Sequence, residues 1–140
     1  MVILGVDLGK ARTGLAVCDP GEVLASPAQQ LDCNGKGLVG IAELVAEQAK
    51  KLGAAEIVVG YPKNMDGTIG AAAVKCKDFT ALLGQICGLP VTLRDERLTT
   101  VMAHSQLSAA DVRGKKRKAV TDAAAAVIIL QEYLDYRRMR

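Results

Sequence analysis

The sequence contains few aromatic residues. Its 140 residues include three tyrosines, one phenylalanine and no tryptophan. RRM and OB modules stack nucleic-acid bases on exposed aromatic rings, so this composition argues against both classes. Half of the residues are hydrophobic, which predicts a core of Leu, Ile, Val and Ala in one domain covering residues 1–140. Any binding of nucleic acid is then expected to depend on charge.

Zinc ligands are also scarce. The four cysteines, Cys18, Cys33, Cys76 and Cys87, stand far apart without a C-x-x-C pair, and His104 is the single histidine. This pattern excludes the usual structural zinc sites, and we assign His104 no role. We expect buried, reduced thiols in a cytosolic protein.

The sequence has neither a signal peptide pattern nor an obvious membrane span. Met1 leads directly into an apolar segment, without the charged and apolar regions of a secretory signal. The apolar run at residues 123–130 is much shorter than the roughly 20 residues that a transmembrane helix needs. We therefore expect a cytoplasmic protein with no membrane partner.

Positive charge is concentrated in two places. The formal net charge is only +3, but eight of the 18 basic residues lie in residues 113–118 and 137–140. Such clusters suit phosphate backbones, although a solvated surface is also common. We predict that the first cluster is a loop that wraps a nucleic acid; its basic residues are Arg113, Lys115, Lys116, Arg117 and Lys118.

The first third of the chain is typical of an antiparallel sheet. We predict strands at residues 2–6, 13–19 and 23–31, separated by glycine-containing turns. Pro27 lacks a backbone donor, so the third strand is expected near an edge of the sheet.

The rest of the chain alternates helices and strands. Strands are predicted at residues 56–62 and from Pro90, a helix with its stop at Gly53 precedes the first of them, and a second helix ends at Gly88. Further helices are predicted after Thr99 or Thr100 and at residues 120–136. The predicted fold is therefore α/β, with a five-stranded mixed sheet of three antiparallel and then two parallel strands, flanked by helices.

Three carboxylates, Asp7, Glu96 and Asp122, lie beside segments predicted to be buried. Burying a carboxylate costs several kcal/mol, roughly, unless a partner or cation compensates it. They could meet at one edge of the sheet if the first strand is central and the last helix crosses beside it, because sites gather at the carboxyl ends of parallel strands. Oxygen ligands of this kind favour a hard divalent cation.

Each acid also has a simpler interpretation. Asp7 could stabilise the turn that follows it, and Glu96 could pair with Arg94 or Arg97, with Asp95 competing as a ligand. Asp122 could be an N-cap or first-turn acid of the last helix. The three interpretations stay open at this point.

Four further residues are candidates for contacts with phosphate. Guanidinium groups match phosphate oxygens, so Arg12 and Arg97 are candidates, although ion pairs with Asp19 or Asp95 are an alternative. The glycine-rich segment 60–70 could let its polar residues approach phosphate, or it could be a plain surface connection. Its candidate residues are Asn64 and Thr68.

Four motifs in this order resemble the YqgF family. They are Gly5-x-Asp7-x-Gly9-x-x-Arg12-x-Gly14, Val59-Gly60-x-Pro62 with Gly67-Thr68, Asp95-Glu96-Arg97-x-Thr99-Thr100, and Asp122-x-x-Ala125-Ala126 with Ile129-Leu130-Gln131. Thr121 departs from the family, which usually has an aliphatic residue there. The resemblance implies an RNase H-like fold and a nuclease in which Asp7, Glu96 and Asp122 bind Mg²⁺ or Mn²⁺, with two ions expected.

The resemblance favours a metal-dependent nuclease that processes the 5′ end of pre-16S rRNA, acting on nucleic acid within ribosomal precursor particles. Resolution of Holliday junctions or other branched DNA is the first alternative. A non-catalytic nucleic-acid-binding protein, or a nucleotide-binding module of the actin and sugar-kinase type, is the second. The oligomeric state is expected to be a monomer or a weak homodimer.

Overall fold

The computed structural model describes residues 1–9, 12–33, 35–61, 70–95 and 114–138. These residues form five strands and three helices. In chain order the elements are β1 (Ile3–Leu8), β2 (Arg12–Cys18), β3 (Ala25–Asp32), α1 (Leu38–Leu52), β4 (Glu56–Tyr61), α2 (Ala71–Cys87), β5 (Val91–Asp95) and α3 (Gly114–Arg138).

The strands form one mixed sheet in the order β3-β2-β1-β4-β5. β1 pairs with β2, and β2 with β3, in antiparallel fashion, whereas β4 and β5 run parallel to β1. β1 is therefore the central strand, and β3, which contains Pro27, is at an edge. The predicted sheet is confirmed in strand number, direction and position of its edge.

Helices cover both faces of the sheet. On one face α1 and α2 bury alternate residues of the strands, including Leu4, Val6 and Leu15, around Phe79 and Leu83. α1 and α2 end at Gly53 and Gly88, whose φ angles of 71° and 70° lie in the left-handed region that glycine adopts without strain. Both helix ends agree with the sequence prediction.

The opposite face of the sheet packs on α3 alone among the described helices. Ile3, Ala16 and Val58 contact its buried side, which includes Ala126 and Leu130. Because β1 is covered on both sides, its residues alternate between the two cores.

The turn between β2 and β3 differs from the prediction, since β3 begins at Ala25 rather than at residue 23. The Asp19 carboxylate accepts hydrogen bonds from the backbone N–H groups of Gly21, Val23 and Leu24, at 3.1, 2.9 and 2.7 Å. These bonds lower the pKa of Asp19, the bond from Leu24 first. Because these N–H groups bond to the carboxylate, the pairing of β3 with β2 starts at Ala25, two residues later than predicted.

All four cysteines are free thiols, and three of them are buried; Cys87 is half-buried. Burial raises the pKa of the Cys18 thiol, so this group stays protonated at neutral pH. The predicted reduced state is consistent with this arrangement.

Candidate functional site

Asp7 lies inside the central strand, near its carboxyl end, and is half-buried. It pairs with Gly14 of β2, and the following turn is closed by the hydrogen bond from Gly9 N to Arg12 O at 3.1 Å. Side chains alternate along a strand, so Asp7 shares a face with Ile3 and Gly5, which is the face covered by α3. The backbone of Asp7 therefore belongs to the sheet rather than to the turn.

Glycines surround Asp7 on this face. Gly5 precedes it by two residues, Gly14 is its partner on β2, and Gly60 follows the β4 residue that pairs with Val6. At Gly5 this space is taken by α3, because Leu130 Cβ lies 2.8 Å from where a Cβ atom would be. Gly14 and Gly60 have no side chain that could hinder the approach of a cation or a phosphate from β2 or β4.

Helix α3 runs antiparallel to β1 on this face. A Cβ atom on Gly5 would lie 3.2 Å from the Ala126 carbonyl oxygen and 2.8 Å from Leu130 Cβ. Arg137, eleven residues after Ala126, contacts Glu22 at 2.9 Å and Glu56 at 3.6 Å. Glu56 in turn pairs with Ile3 at the start of β1. The carboxyl end of α3 is therefore at the amino end of β1, and its amino end points towards Asp7.

This packing brings position 122 alongside Asp7. Position 122 precedes Ala126 by one turn, or about 6 Å along the helix axis. Asp7 follows Gly5 by two strand residues, or about 7 Å in the same direction. Because i and i+4 positions share a helix face, position 122 lies on the stripe that packs on the sheet. The side chain of Asp122 lies outside the described part of the structure.

Asp122 is not a capping residue. α3 begins at Gly114, so position 122 is in the third turn of the helix rather than at its start. The alternative interpretation of Asp122 as an N-cap or first-turn acid is therefore wrong, because both functions are limited to the first turn.

The carboxyl end of β5 is at the same edge of the sheet. In register, Val6 is next to Val59, and Val59 is next to Leu93, so β1 and β5 end side by side with β4 between them. Two strand spacings separate them, or about 10 Å. Asp95 ends β5, and Glu96 and Arg97 lie outside the described residues.

The structure therefore places Asp7 and the end of β5 at one edge of the sheet, with the amino end of α3 directed towards that edge. Within the described ranges there is no group of three side chains that could hold a metal ion. Glu96 and the side chain of Asp122 lie outside the described part of the structure, so the three-carboxylate site stays a prediction. The carboxylate oxygens of Asp7 are ligands of the type that a hard divalent cation prefers.

Arg12 is at the same edge as Asp7. It is the first residue of β2, and by strand alternation it shares a face with Gly14, the partner of Asp7. The alternative in which Arg12 pairs with Asp19 is wrong. Asp19 follows the opposite end of β2, so the two residues are roughly 20 Å apart along the strand.

The basic cluster at residues 113–118 was predicted to be a loop, and this is wrong for residues 114–118. They form the first turn of α3, and Arg113 lies outside the described residues. Lys and Arg are good helix formers, and this propensity prevails over their mutual repulsion. Lys118 precedes Ala126 by eight residues, or about 12 Å, whereas β1 continues for only three residues after Gly5. The basic turn therefore extends past the Asp7 edge.

Two other candidates for phosphate contacts lie between β4 and α2. Asn64 and Thr68 belong to the connection between β4 and α2, and both lie outside the described residues. The connection leaves β4 at the same edge of the sheet as Asp7, because β4 is parallel to β1.

One group of residues on this face was not foreseen. Arg94 on β5 contacts Glu132 and Tyr136 of α3, although the sequence suggested only a pairing with Glu96. The sequence signal was the alternation of β5, which places Leu93 in the α1–α2 core and Arg94 on the α3 face. No pattern in the sequence connects residues 94 and 136.

Among the helices in the described ranges, none is long and apolar enough to cross a membrane.

Comparison with known proteins supports a nuclease. Residues 1–136 match the family model RuvX, described as "Holliday junction resolvase". A relative in Mycolicibacterium paratuberculosis, named "Putative pre-16S rRNA nuclease", is 47% identical over 138 residues, covering 96% of this chain and 80% of the relative.

Two solved structures share the fold. Thermus thermophilus RuvC in complex with a Holliday junction substrate aligns with a TM-score of 0.62 at 17% identity, covering 99% of this chain and 96% of RuvC. A ROK hexokinase from the same organism aligns with a TM-score of 0.52 at 21% identity, covering 76% of this chain and 39% of the kinase. The fold is thus RNase H-like, and it is shared by nucleases and sugar kinases.

The fold alone therefore does not distinguish a nuclease from a sugar kinase, but the family match does. Divalent metal ions are the general cofactors of resolvase-like nucleases, and nucleic acid is their substrate. With a match over residues 1–136, this chain belongs to the RuvX family, the YqgF family of RNase H-like nucleases, and it is a nuclease.

Proposed function

We propose that this nuclease processes the 5′ end of pre-16S rRNA, with Asp7, Glu96 and Asp122 as ligands of two Mg²⁺ or Mn²⁺ ions. The observation that supports the proposal is the antiparallel packing of α3 on β1, because the amino end of the helix is then directed towards the edge of the sheet where Asp7 lies. The name of the relative with 47% identity supports the choice of RNA.

The proposed chemistry is hydrolysis of a phosphodiester. Two ions bound side by side would activate a water and stabilise the leaving oxygen during in-line attack. The protein would supply geometry, since the central strand holds Asp7 and the packing of α3 on the sheet would position Asp122. Ordinary carboxyl groups are ionised at neutral pH, as ligands must be.

The substrate contacts are proposed from charge. Arg12 is on the face of Asp7, and the basic first turn of α3 extends past the same edge. Phosphates that flank the reacting bond would meet these cations on both sides of the acid. We include the remaining candidates, Asn64, Thr68, Arg97 and Arg113, by their place in the family motifs or the basic cluster.

The proposal is tested by cleavage of labelled RNA that carries the 5′ region of pre-16S rRNA, with Mn²⁺ or Mg²⁺. We expect Asp7→Asn, Glu96→Gln and Asp122→Asn to abolish cleavage while binding is retained or strengthened, because less negative charge faces the phosphates. Asp78→Asn is the matched control, since Asp78 is exposed on α2 on the opposite side of the sheet. Cleavage by all three variants at the wild-type rate would reject the assigned site.

Resolution of branched DNA is the second candidate function. The family description and the fold shared with RuvC favour it. A four-way DNA junction in the same assay distinguishes the two, because paired symmetrical cuts in the junction, with the RNA left intact, would favour the resolvase. ATP hydrolysis by the wild type without any nuclease activity would favour the kinase-like alternative.

We also propose a cytoplasmic location, on ribosomal precursor particles, and a monomer or weak homodimer. Trimming of one strand needs one site, whereas a symmetrical double cut needs two. Sedimentation velocity over a range of protein concentrations, with and without RNA, measures the oligomeric state directly.

A further inference from the structure

Arg94 lies in the groove between edge strand β5 and helix α3. It pairs in register with Gly60 of β4, on the sheet face that carries Asp7. Its guanidinium carbon is 5.6 Å from the centre of the Tyr136 ring, and its Nε atom is 4.0 Å from a carboxylate oxygen of Glu132. The three side chains form a cluster that we call the Arg94 cluster.

The Arg94 cluster leaves hydrogen-bonding capacity unused. The Nε atom of Arg94 is buried and has no hydrogen-bond partner, the only such side-chain nitrogen or oxygen in the described ranges. A separation of 4.0 Å is too long for a hydrogen bond to Glu132. A buried donor without a partner is costly, so the cost would be relieved if the guanidinium turned to meet a bound acceptor.

The cluster is also accessible. About a third of the Arg94 and Glu132 side chains is exposed, at 30% and 33%, and Tyr136 is 51% exposed. A guanidinium can bind a phosphate, and the face of an aromatic ring can stack on a base of any identity. Arg94 and Tyr136 thus offer the two kinds of contact that a single nucleotide needs.

The groove leads away from the proposed site. Arg94 is two strands from Asp7 at the same level of the sheet, or about 10 Å. Its guanidinium then lies against α3, towards the carboxyl end of that helix. A strand whose phosphate is at Asp7 can therefore pass over Gly60, which has no side chain, and enter the groove.

We propose that Arg94 and Tyr136 bind one nucleotide of a single-stranded segment next to the reacting phosphodiester, with Arg94 on its phosphate and Tyr136 on its base. This inference rests on the proposed function, because it takes Asp7 to mark the reacting bond. Glu132 is a competing negative charge, so it weakens binding and holds the guanidinium when no nucleic acid is bound.

The test is binding of a labelled single-stranded RNA to Asp7→Asn protein, without divalent ions, over a range of salt concentrations. For single strands each phosphate contact contributes about 0.7 to the slope of log affinity against log salt. Arg94→Ala in this background should lower the slope by about that amount. Lys51→Ala is the matched control, because it removes one positive charge that is 62% exposed on α1, on the opposite side of the sheet. Its slope should not change.

Two further substitutions test the other members of the cluster. Glu132→Gln should tighten binding, because it removes the competing charge. Tyr136→Ala should weaken binding about fivefold or more while the salt slope stays the same, and Tyr136→Phe should bind like the parent, because stacking needs only the ring. Thermal unfolding of each variant checks that the protein is folded.

An unchanged salt slope in Arg94→Ala, together with unchanged affinity in Tyr136→Ala, would overturn the inference. So would weaker binding by Glu132→Gln, since that result makes the carboxylate a support of Arg94 and not a competitor. These binding outcomes are independent of the cleavage assay. Wild-type cleavage by Asp7→Asn, Glu96→Gln and Asp122→Asn would reject the assigned catalytic site instead.

Discussion

Substitution of Gly5 by alanine tests the packing that brings α3 to the central strand. The added Cβ would lie 2.8 Å from Leu130 Cβ and 3.2 Å from the Ala126 carbonyl oxygen. Carbon atoms pack best at about 3.5–4.0 Å. Both neighbours belong to the helix backbone or sit next to it, so a side-chain rotation cannot relieve the contact, and α3 has to move by about 1 Å.

The expected cost is moderate for stability and large for catalysis. Overpacking of this kind costs about 1–3 kcal/mol, partly offset by about 0.4–1 kcal/mol because alanine restricts the unfolded chain. We therefore expect Gly5→Ala to lose about 1–2 kcal/mol in urea unfolding. A shift of about 1 Å in a catalytic group can lower a rate about 100-fold, so cleavage should fall far more than stability, and half-maximal activity should need more Mn²⁺.

Gly84→Ala is the control for this prediction. Gly84 lies inside α2, and a Cβ there would have Val91 Cγ2 at 4.0 Å as its nearest neighbour, which is ordinary contact. This variant should gain about 0.5–1 kcal/mol and cleave like the wild type. A Gly5→Ala protein as stable and as active as wild type would refute the packing of α3 against β1 and, with it, the position of residue 122.

The remaining predictions concern the carboxyl end of α3. The Met1 ammonium, and after it Arg137, lower the pKa of the Glu22 carboxyl group. The ionised carboxylate therefore stabilises the fold fully above the unfolded pKa of about 4.3. This stabilisation is lost as the pH falls through the lower pKa of the folded state. Glu22→Gln should therefore reduce stability in urea unfolding at pH 7, and its difference from wild type should shrink below about pH 4; a difference that is unchanged at pH 3 would contradict the ion pairs. Tyr133 donates a hydrogen bond to Glu56, which is 8% exposed, so Tyr133→Phe should cost about 1–3 kcal/mol, and a neutral result would show that water replaces the hydroxyl.

Much of the fold could be predicted from local patterns. The edge position of β3 follows from Pro27, which has no donor for a second neighbour, and the ends of α1 and α2 follow from Gly53 and Gly88. The central position of β1 agrees with its short, mostly apolar run, which suits a strand covered on both faces.

The start of α3 could not be predicted, because two local terms conflict there. Residues 114–118 combine a glycine with four like charges, which is typical of a loop, whereas Lys and Arg favour a helix. Contacts between residues far apart in the sequence could not be predicted either. The bond of Tyr133 to Glu56 spans 77 residues, and only the packing of α3 shows it.

In the site, the sequence located Asp7 and Arg12 at one edge, and the structure supports both placements. It misjudged Asp122 as a possible cap because the capping interpretation depends on where the helix begins. The Arg94 cluster was missed because its members come from an edge strand and the last helix, with no spacing rule between them.

The order of synthesis gives the antiparallel packing of α3 a further consequence. β1 and β2 leave the ribosome before α3, yet Ile3 and Ala16 are buried against that helix. A nascent chain that stops before residue 114 therefore exposes an apolar sheet surface, which a chaperone could recognise. It also lacks one of the three proposed ligands, so under the proposed function an unfinished chain would not cleave RNA.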